Sequence, residues 1–144
     1  MDYIIRRCTI DDTDSIRRLN REEMGYDLPP QVVRSQLELL LGRDSDLILV
    51  AETDGAVVGY VHANDYDLTY MPHMKNIMGI AVSSQHRGKG IGRALLDGVE
   101  EWARETGAVG VRLVSGATRT GAHEFYRRCG YDGGKQQLNF RKFF

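Results

Sequence analysis

Residues 83–96, SSQHRGKGIGRALL, combine a glycine-rich turn with the start of an apolar helix pattern. Glycines stand at positions 88, 90 and 92, shortly after an apolar stretch that ends at Val82. The first amides of a helix have no partner within the helix, and the helix dipole favours negative charge there. Glycines leave those amides open to an approaching anion. The stretch therefore predicts a phosphate-binding turn between a strand and a helix.

The spacing of the glycines excludes two common phosphate loops. Both G-x-x-x-x-G-K-[ST] and G-x-G-x-x-G require a glycine at position 93 when counted from Gly88, and that position holds Arg93. Residues 85–90, QHRGKG, read Q-x-x-G-x-G instead. Further along, residues 122–131, AHEFYRRCGY, form a second motif of the type A-x-x-F-Y-x-x-x-G-[FY].

Apolar periodicity predicts the element order β-α-α-β-β-β-α-β-α-β. The predicted strands lie at residues 3–8, 46–52, 56–64, 75–82 and 109–114, and one or two more close the chain through Leu138, Phe140 and Phe143. Helices are predicted from Asp11, from Pro30, after the glycine turn and over residues 120–128, and a polar loop over residues 65–73. This pattern indicates a mixed α/β domain with helices packed on a central sheet.

Composition limits the classes of function. The 144 residues are 42% hydrophobic and 27% charged, with a formal net charge of −1, as in one ordinary globular domain. The balanced charge argues against a nucleic-acid binder that neutralises many phosphates. No apolar run approaches the length of a membrane span and the start has no signal-peptide layout, so we expect a cytoplasmic protein without membrane contact. The histidines show no metal-ligand spacing, and we expect no metal.

The two motifs, in this order and on these elements, resemble the GCN5-related N-acetyltransferase (GNAT) superfamily, whose acyl-CoA motif is [RQ]-x-x-G-x-[GA]. The resemblance covers nearly the whole chain and implies one N-acetyltransferase domain over residues 1–144. It implies an α/β fold whose mixed, mostly antiparallel central sheet is splayed to admit acyl-CoA and flanked by about four helices. It further implies direct transfer of an acetyl group from acetyl-CoA to a primary amine.

The resemblance also assigns the cofactor contacts. The pantetheine arm would lie along the strand that ends at Val82, a backbone amide near Ile80 or Ala81 would polarise the thioester carbonyl, and the pyrophosphate would lie on the glycine turn. Arg119 stands where many relatives carry an asparagine that touches the cofactor. The cofactor-binding residues so implied are Ile80, Ala81, Val82, Arg87, Gly88, Lys89, Gly90, Ile91, Gly92, Arg93 and Arg119.

Two proton transfers complete the implied chemistry. Tyr126, the tyrosine of the second motif, would protonate the departing thiolate. The base that deprotonates the amine is open, because residues 74–82, MKNIMGIAV, lack the glutamate that many relatives carry there. A water chain could serve, or a carboxylate from elsewhere such as Glu23, Asp65 or Asp67. Carboxylates and tyrosines in two flanking segments suit a cationic amine, and the expected acceptor-binding residues are Glu23, Tyr26, Asp65 and Asp67.

Three functions stay open from the sequence. The first is acetylation of a small-molecule amine, since the form R-x-x-A-H-x-F-Y also occurs in a branch of small-amine acetyltransferases that includes aminoalkylphosphonate ones. The second is acetylation of a protein N-terminus or lysine. The third is a non-catalytic acyl-CoA sensor on the same fold. A homodimer is possible in each case.

Overall fold

A computed structural model describes residues 2–144. The contacts divide the chain into two compact units, Met1–Leu113 and Val114–Phe144. The larger unit contains five strands: β1 (Ile4–Arg7), β2 (Asp46–Thr53), β3 (Ala56–Leu68), β4 (Met71–Val82) and β5 (Val111–Leu113). It also contains three α-helices: α1 (Thr13–Leu19), α2 (Pro30–Leu41) and α3 (Ile91–Glu105). The smaller unit contains α4 (Thr120–Arg128).

The five strands form one sheet in the order β1-β2-β3-β4-β5. The first three pairings are antiparallel, and β4 pairs with β5 in parallel. The predicted turn between β2 and β3 is present, with positive φ angles at Asp54 and Gly55. The mixed, mostly antiparallel sheet and the four helices confirm the predicted fold class.

Helices cover both faces of the sheet. On one face, α1 and α2 contribute Ile16, Leu19, Val33 and Leu37 to a buried cluster that includes Tyr60 of β3. On the other face, α3 places the Trp102 ring against β4. A turn of π-helix, Asn20–Met24, directly continues α1. Within residues 2–144, no helix combines the length and the apolar composition that crossing a bilayer requires.

Two parts of the predicted secondary structure are wrong. Residues 65–73 do not form a polar loop, because β3 continues to Leu68 and β4 begins at Met71. Asp65 pairs with Lys75 and Asp67 with His73 across the two strands, and only Thr69 and Tyr70 form the turn between them. The closing strands through Leu138, Phe140 and Phe143 are absent: residues 131–144 form neither helix nor strand, and these three side chains are exposed.

Candidate active site

The sheet opens between β4 and β5. These strands pair only at Lys75–Ile77 with Val111–Leu113, and β4 continues for five more residues to Val82. The opening coincides with a β-bulge, since Ile77 is opposite Ala63 but Gly79 is opposite His62, which leaves Met78 as an extra residue. A bulge bends a strand and increases its twist. In the larger unit, the end of β4 therefore has no strand beside it on this edge.

The direction of the backbone groups along this open edge follows from the strand register. The Ser83 amide donates a hydrogen bond to the Val58 carbonyl at 2.8 Å. Because hydrogen-bonded and non-hydrogen-bonded pairs alternate in an antiparallel ladder, Ala81 bonds to β3 while Ile80 and Val82 turn their N–H and C=O groups to the open edge. Of the two amides considered for the thioester carbonyl, that of Ile80 faces the opening and that of Ala81 does not.

The glycine turn connects this edge to α3. Gly88 and Gly90 have φ angles of +77° and +82°, a left-handed conformation that side chains with a Cβ rarely adopt. Gly90 is the N-cap of α3, and the first bond within the helix runs from the Ala94 amide to the Gly90 carbonyl at 3.0 Å. The amides of Ile91 and Gly92 precede that bond. The turn thus presents the start of a 15-residue helix next to the open edge of β4.

Glu23 lies in the π-helical turn and reaches the loop that follows β4. One carboxylate oxygen accepts a hydrogen bond from the Ser84 amide at 3.1 Å, and the other accepts one from the Arg87 guanidinium at 2.7 Å. The Glu23 side chain is only 9% exposed. Its carboxylate thus holds the π-helical turn to the glycine turn. Tyr26, two residues beyond the π-helical turn, is exposed.

Asp65 and Asp67 face α3 and have cationic or imidazole partners. The Lys75 ammonium lies 2.5 Å from an Asp65 oxygen and 3.9 Å from the centre of the Trp102 ring, and Lys75 is 2% exposed. The His73 Nδ1 lies 2.8 Å from Asp67. Among residues 2–144, no hydrogen bond or ion pair joins any two of the four residues predicted to bind the acceptor.

The opposite face of β3 carries a polar row that the sequence analysis missed. Side chains alternate between the faces of a strand, so Tyr60 and His62 point away from the α3 side. The Tyr60 hydroxyl donates to Asn20 of the π-helical turn, and burial raises the pKa of Tyr60 to about 12. The His62 Nε2 lies 2.7 Å from the Asp46 Oδ1. No spacing along the sequence indicates this pair, because its partners meet only through the β2–β3 register.

The smaller unit presents Tyr126 on α4. Arg119 is the N-cap of this helix, and the rings of Phe125 and Tyr126 lie 5.3 Å apart with a 57° tilt. Burial raises the pKa of Tyr126 above its ordinary value, and the nearby charge of Arg119 opposes that shift. The phenol therefore keeps its proton at neutral pH. His123, on the same helix, donates through Nε2 to the Gly116 carbonyl at 2.8 Å.

The positions of the His, Cys, Asp and Glu side chains bear on whether the chain could bind a metal ion. Among residues 2–144, no three His, Cys, Asp or Glu side chains are placed so that they could hold a metal ion. The expectation of a reaction without metal stays a prediction.

Comparison with known proteins identifies the family. Residues 13–131 match the Acetyltransferase (GNAT) family. The chain belongs to the GNAT family. This confirms the resemblance based on the two motifs, and with it the predicted class of enzyme, an N-acetyltransferase.

Two relatives in sequence and one solved structure are also N-acetyltransferases by name. It is 32% identical over 138 residues to the aminoalkylphosphonate N-acetyltransferase of Salmonella typhimurium, covering 95% of this chain and 87% of that protein. It is 32% identical over 140 residues to the uncharacterized N-acetyltransferase MJ1207 of Methanocaldococcus jannaschii, covering 90% of this chain but only 61% of the relative. An aminoglycoside N-acetyltransferase solved with CoA has the same fold, with a TM-score of 0.87 at 19% identity over 98% of this chain and 95% of that one.

Proposed function

We propose that this GNAT chain transfers the acetyl group of acetyl-CoA directly to the primary amine of a small molecule. One observation carries the proposal: the open edge of β4, with the backbone of Ile80 and Val82 turned outward, leads straight into the glycine turn at the start of α3. An extended pantetheine arm can add to that edge as a further strand would. The pyrophosphate then reaches the amides at the start of α3.

The cofactor contacts follow from this placement. The backbone of Ile80 and Val82 binds the pantetheine, and the Ile80 amide polarises the thioester carbonyl and stabilises the oxyanion that forms during attack. The glycine turn, residues 87–93, holds the pyrophosphate. Lys89 is exposed at this turn and adds positive charge for the phosphates, and Arg87 is exposed there with its guanidinium paired to Glu23. Arg119 and Tyr126 of the smaller unit are proposed, on the family resemblance, to contact the cofactor and to protonate its thiolate.

Of the four residues that the sequence predicts to bind the acceptor, we keep one as a proposed contact. Tyr26 is kept as a proposed contact, because it is exposed just after the π-helical turn. Glu23, Asp65 and Asp67 are proposed to act in the structure and not on the acceptor, because each carboxylate already has a partner. A small-molecule acceptor is supported by the named activity of the Salmonella relative.

An amine panel tests the function. Purified full-length chain is mixed with acetyl-CoA and, in separate reactions, with alkylamines, aminoalkylphosphonates, aminoglycosides and peptides bearing a free N-terminus or a lysine. Release of the CoA thiol is followed over time, with an amine-free reaction as the control. Faster release with one class of small amine is the expected result. Turnover only with peptides would replace the small-molecule assignment by a protein acetyltransferase, and tight acetyl-CoA binding without release would favour a sensor.

A further inference from the structure

We propose that His62 is the general base that removes a proton from the acceptor amine, and that Asp46 positions it. The proposal rests on the proposed function, and it supplies the base that β4 lacks. A lysine-like amine titrates near pKa ~10.4 and is mostly charged at neutral pH, so it must lose a proton before it can attack a thioester.

The contact with Asp46 fixes which nitrogen of His62 can accept a proton. The carboxylate can only accept a hydrogen bond, so the Nε2 at 2.7 Å carries the hydrogen. The neutral imidazole then has its lone pair on Nδ1. The Asp46 side chain is 5% exposed and the His62 side chain 17%, so the carboxylate is enclosed while the ring still reaches solvent. In this arrangement the buried Asp46 carboxylate sets both the tautomer and the orientation of the His62 ring, and the ring can act as a base.

His62 lies beside the opening of the sheet. Its partner across the β3–β4 ladder is Gly79, next to the bulge residue Met78 where the pairing with β5 ends. Neighbouring strands are about 4.8 Å apart, so His62 is one strand spacing from the free edge of β4. Gly79 has no side chain, and the position that its Cβ would take lies 3.4 Å from the Met24 methyl group and 4.0 Å from the Tyr60 hydroxyl, so these two groups border the path from the imidazole to the edge. One water molecule can bridge Nδ1 to an amine placed there.

No other base faces this side of the sheet at the same level. Strand alternation places two carboxylates on this face of β2, Asp46 and Glu52, and Glu52 lies near the other end of the strand, where it pairs with Arg6. β4 contributes Asn76, Met78, Gly79 and Ala81 there. Near His62, the other titratable or charged groups on this face are Tyr60, Tyr66 and Arg112, and Glu23 of the π-helical turn is bound at Ser84 and Arg87. Further along the face lie Arg18, which donates to the Val57 carbonyl, the Arg6–Asp12 ion pair and the buried thiol of Cys8. Tyr60 stays protonated, because burial raises its pKa to about 12.

The proton balance is complete with one base and one acid. The ammonium gives a proton through water to His62 Nδ1, and the neutral amine attacks the thioester carbon. A C–N bond forms and the C–S bond breaks. The second amine proton leaves as the amide forms, and the thiolate takes up one proton to give the free CoA thiol. One proton per turnover passes from His62 to solvent.

The decisive experiment is the dependence of kcat/KM on pH for the parent and for His62→Gln, with the best alkylamine of the panel. Because His62 takes the proton of the bound ammonium in the parent, the parent profile should be flatter between neutrality and the pKa of the amine than the profile of His62→Gln. Without the base only the neutral amine reacts, so the profile of His62→Gln should rise tenfold per pH unit up to the pKa of the amine. Near pH 7 we expect His62→Gln to lose roughly 10²-fold or more in kcat. Asp46→Asn should lose less.

Two controls separate the outcomes. His73→Gln removes a similar histidine–aspartate pair from the α3 face and should keep the parent profile. Methoxyamine, which is neutral at pH 7, should react with parent and His62→Gln at rates within a few-fold of each other, which also shows that the variant is folded. A parent-like profile for His62→Gln with the alkylamine would overturn the proposal while leaving the acetyltransferase intact. Absence of turnover by the parent with every amine would overturn the proposed function itself.

Discussion

At the scale of single residues, two side chains have surroundings that suit opposite proton transfers. His62 is held by an acid that leaves one ring nitrogen able to accept a proton. Tyr126 is buried enough to raise its pKa and so to keep its proton. A base and an acid with separate environments are what direct amine acylation requires, because the amine loses protons and the thiolate gains one.

Tyr126→Phe tests the acid. The variant keeps the ring and removes only the hydroxyl, so kcat should fall by roughly 10²–10⁴-fold while acetyl-CoA affinity changes little. The loss should shrink with a thioester whose leaving thiol is more acidic, because that thiolate needs less help. Tyr131→Phe is the matched control, since the motif accepts either residue at that position. If the rate constant of Tyr126→Phe in single-turnover measurements equals that of the parent, Tyr126 does not protonate the CoA thiolate, and the thiolate takes its proton from water.

Asp65→Asn distinguishes a structural carboxylate from an acceptor-binding one. The buried Lys75 ammonium would lose its counter-charge, and leaving a buried charge unpaired costs about 3–5 kcal/mol. Urea unfolding should show that loss, and KM for the amine should stay unchanged. Asp67→Asn is the control, because the Asp67 side chain is 68% exposed and its removal should cost less than about 1 kcal/mol. If Asp65→Asn raises KM for the amine and leaves the free energy of unfolding unchanged, Asp65 binds the acceptor and its role is not structural.

At the scale of elements, the proposed binding of acetyl-CoA depends mainly on the glycine turn. Its two left-handed residues, Gly88 and Gly90, place the start of α3 beside the open end of β4. The strand, the turn and the helix were each predicted from the sequence, because apolar runs and glycines are local signals.

Gly90→Val tests the turn. A branched side chain is strained at a φ of +82° and would occupy the space through which a phosphate approaches, so acetyl-CoA affinity should fall at least tenfold. Titration calorimetry on folded protein measures the change. Gly107→Val, with a φ of +80° at the other end of α3, introduces similar strain away from the turn and should bind like the parent. Equal affinities for Gly90→Val and Gly107→Val would contradict the phosphate-binding role.

The features that the sequence did not predict depend on partners distant in the chain. Residues 65–73 are polar enough to suggest a loop, but Asp65 and Lys75 satisfy each other across the β3–β4 ladder. The bulge at Met78 follows from the register of two strands, and the His62–Asp46 pair from another. The apolar side chains at 138, 140 and 143 suggested a strand, which a lone segment without a pairing partner does not form.

At the scale of the whole molecule, the family match over residues 13–131 includes parts of both compact units. Tyr126 and Arg119 belong to the smaller unit, and the glycine turn belongs to the larger one. We therefore expect the functional domain to require the whole chain, as the prediction of one domain over residues 1–144 states.

Acetyl-CoA should stabilise the folded chain as a whole. At a free concentration one hundred times Kd, a ligand bound only by the native state adds about 2.7 kcal/mol. For a domain of this size that corresponds to a rise in Tm of roughly 6–10 °C. Differential scanning fluorimetry measures the shift, with Gly90→Val at the same concentration as the control that should rise less. A constant Tm at a concentration that saturates binding in calorimetry would contradict selective binding to the native state.

The open end of β4 also bears on the handling of the protein. Outward-facing backbone groups at a strand edge are a template on which a strand of another molecule can pair, and such edges promote aggregation. A bound pantetheine arm would occupy those same groups. The co-substrate would then act as a removable cover for the sheet, and concentrated preparations stored with CoA should form fewer insoluble assemblies than preparations stored without it.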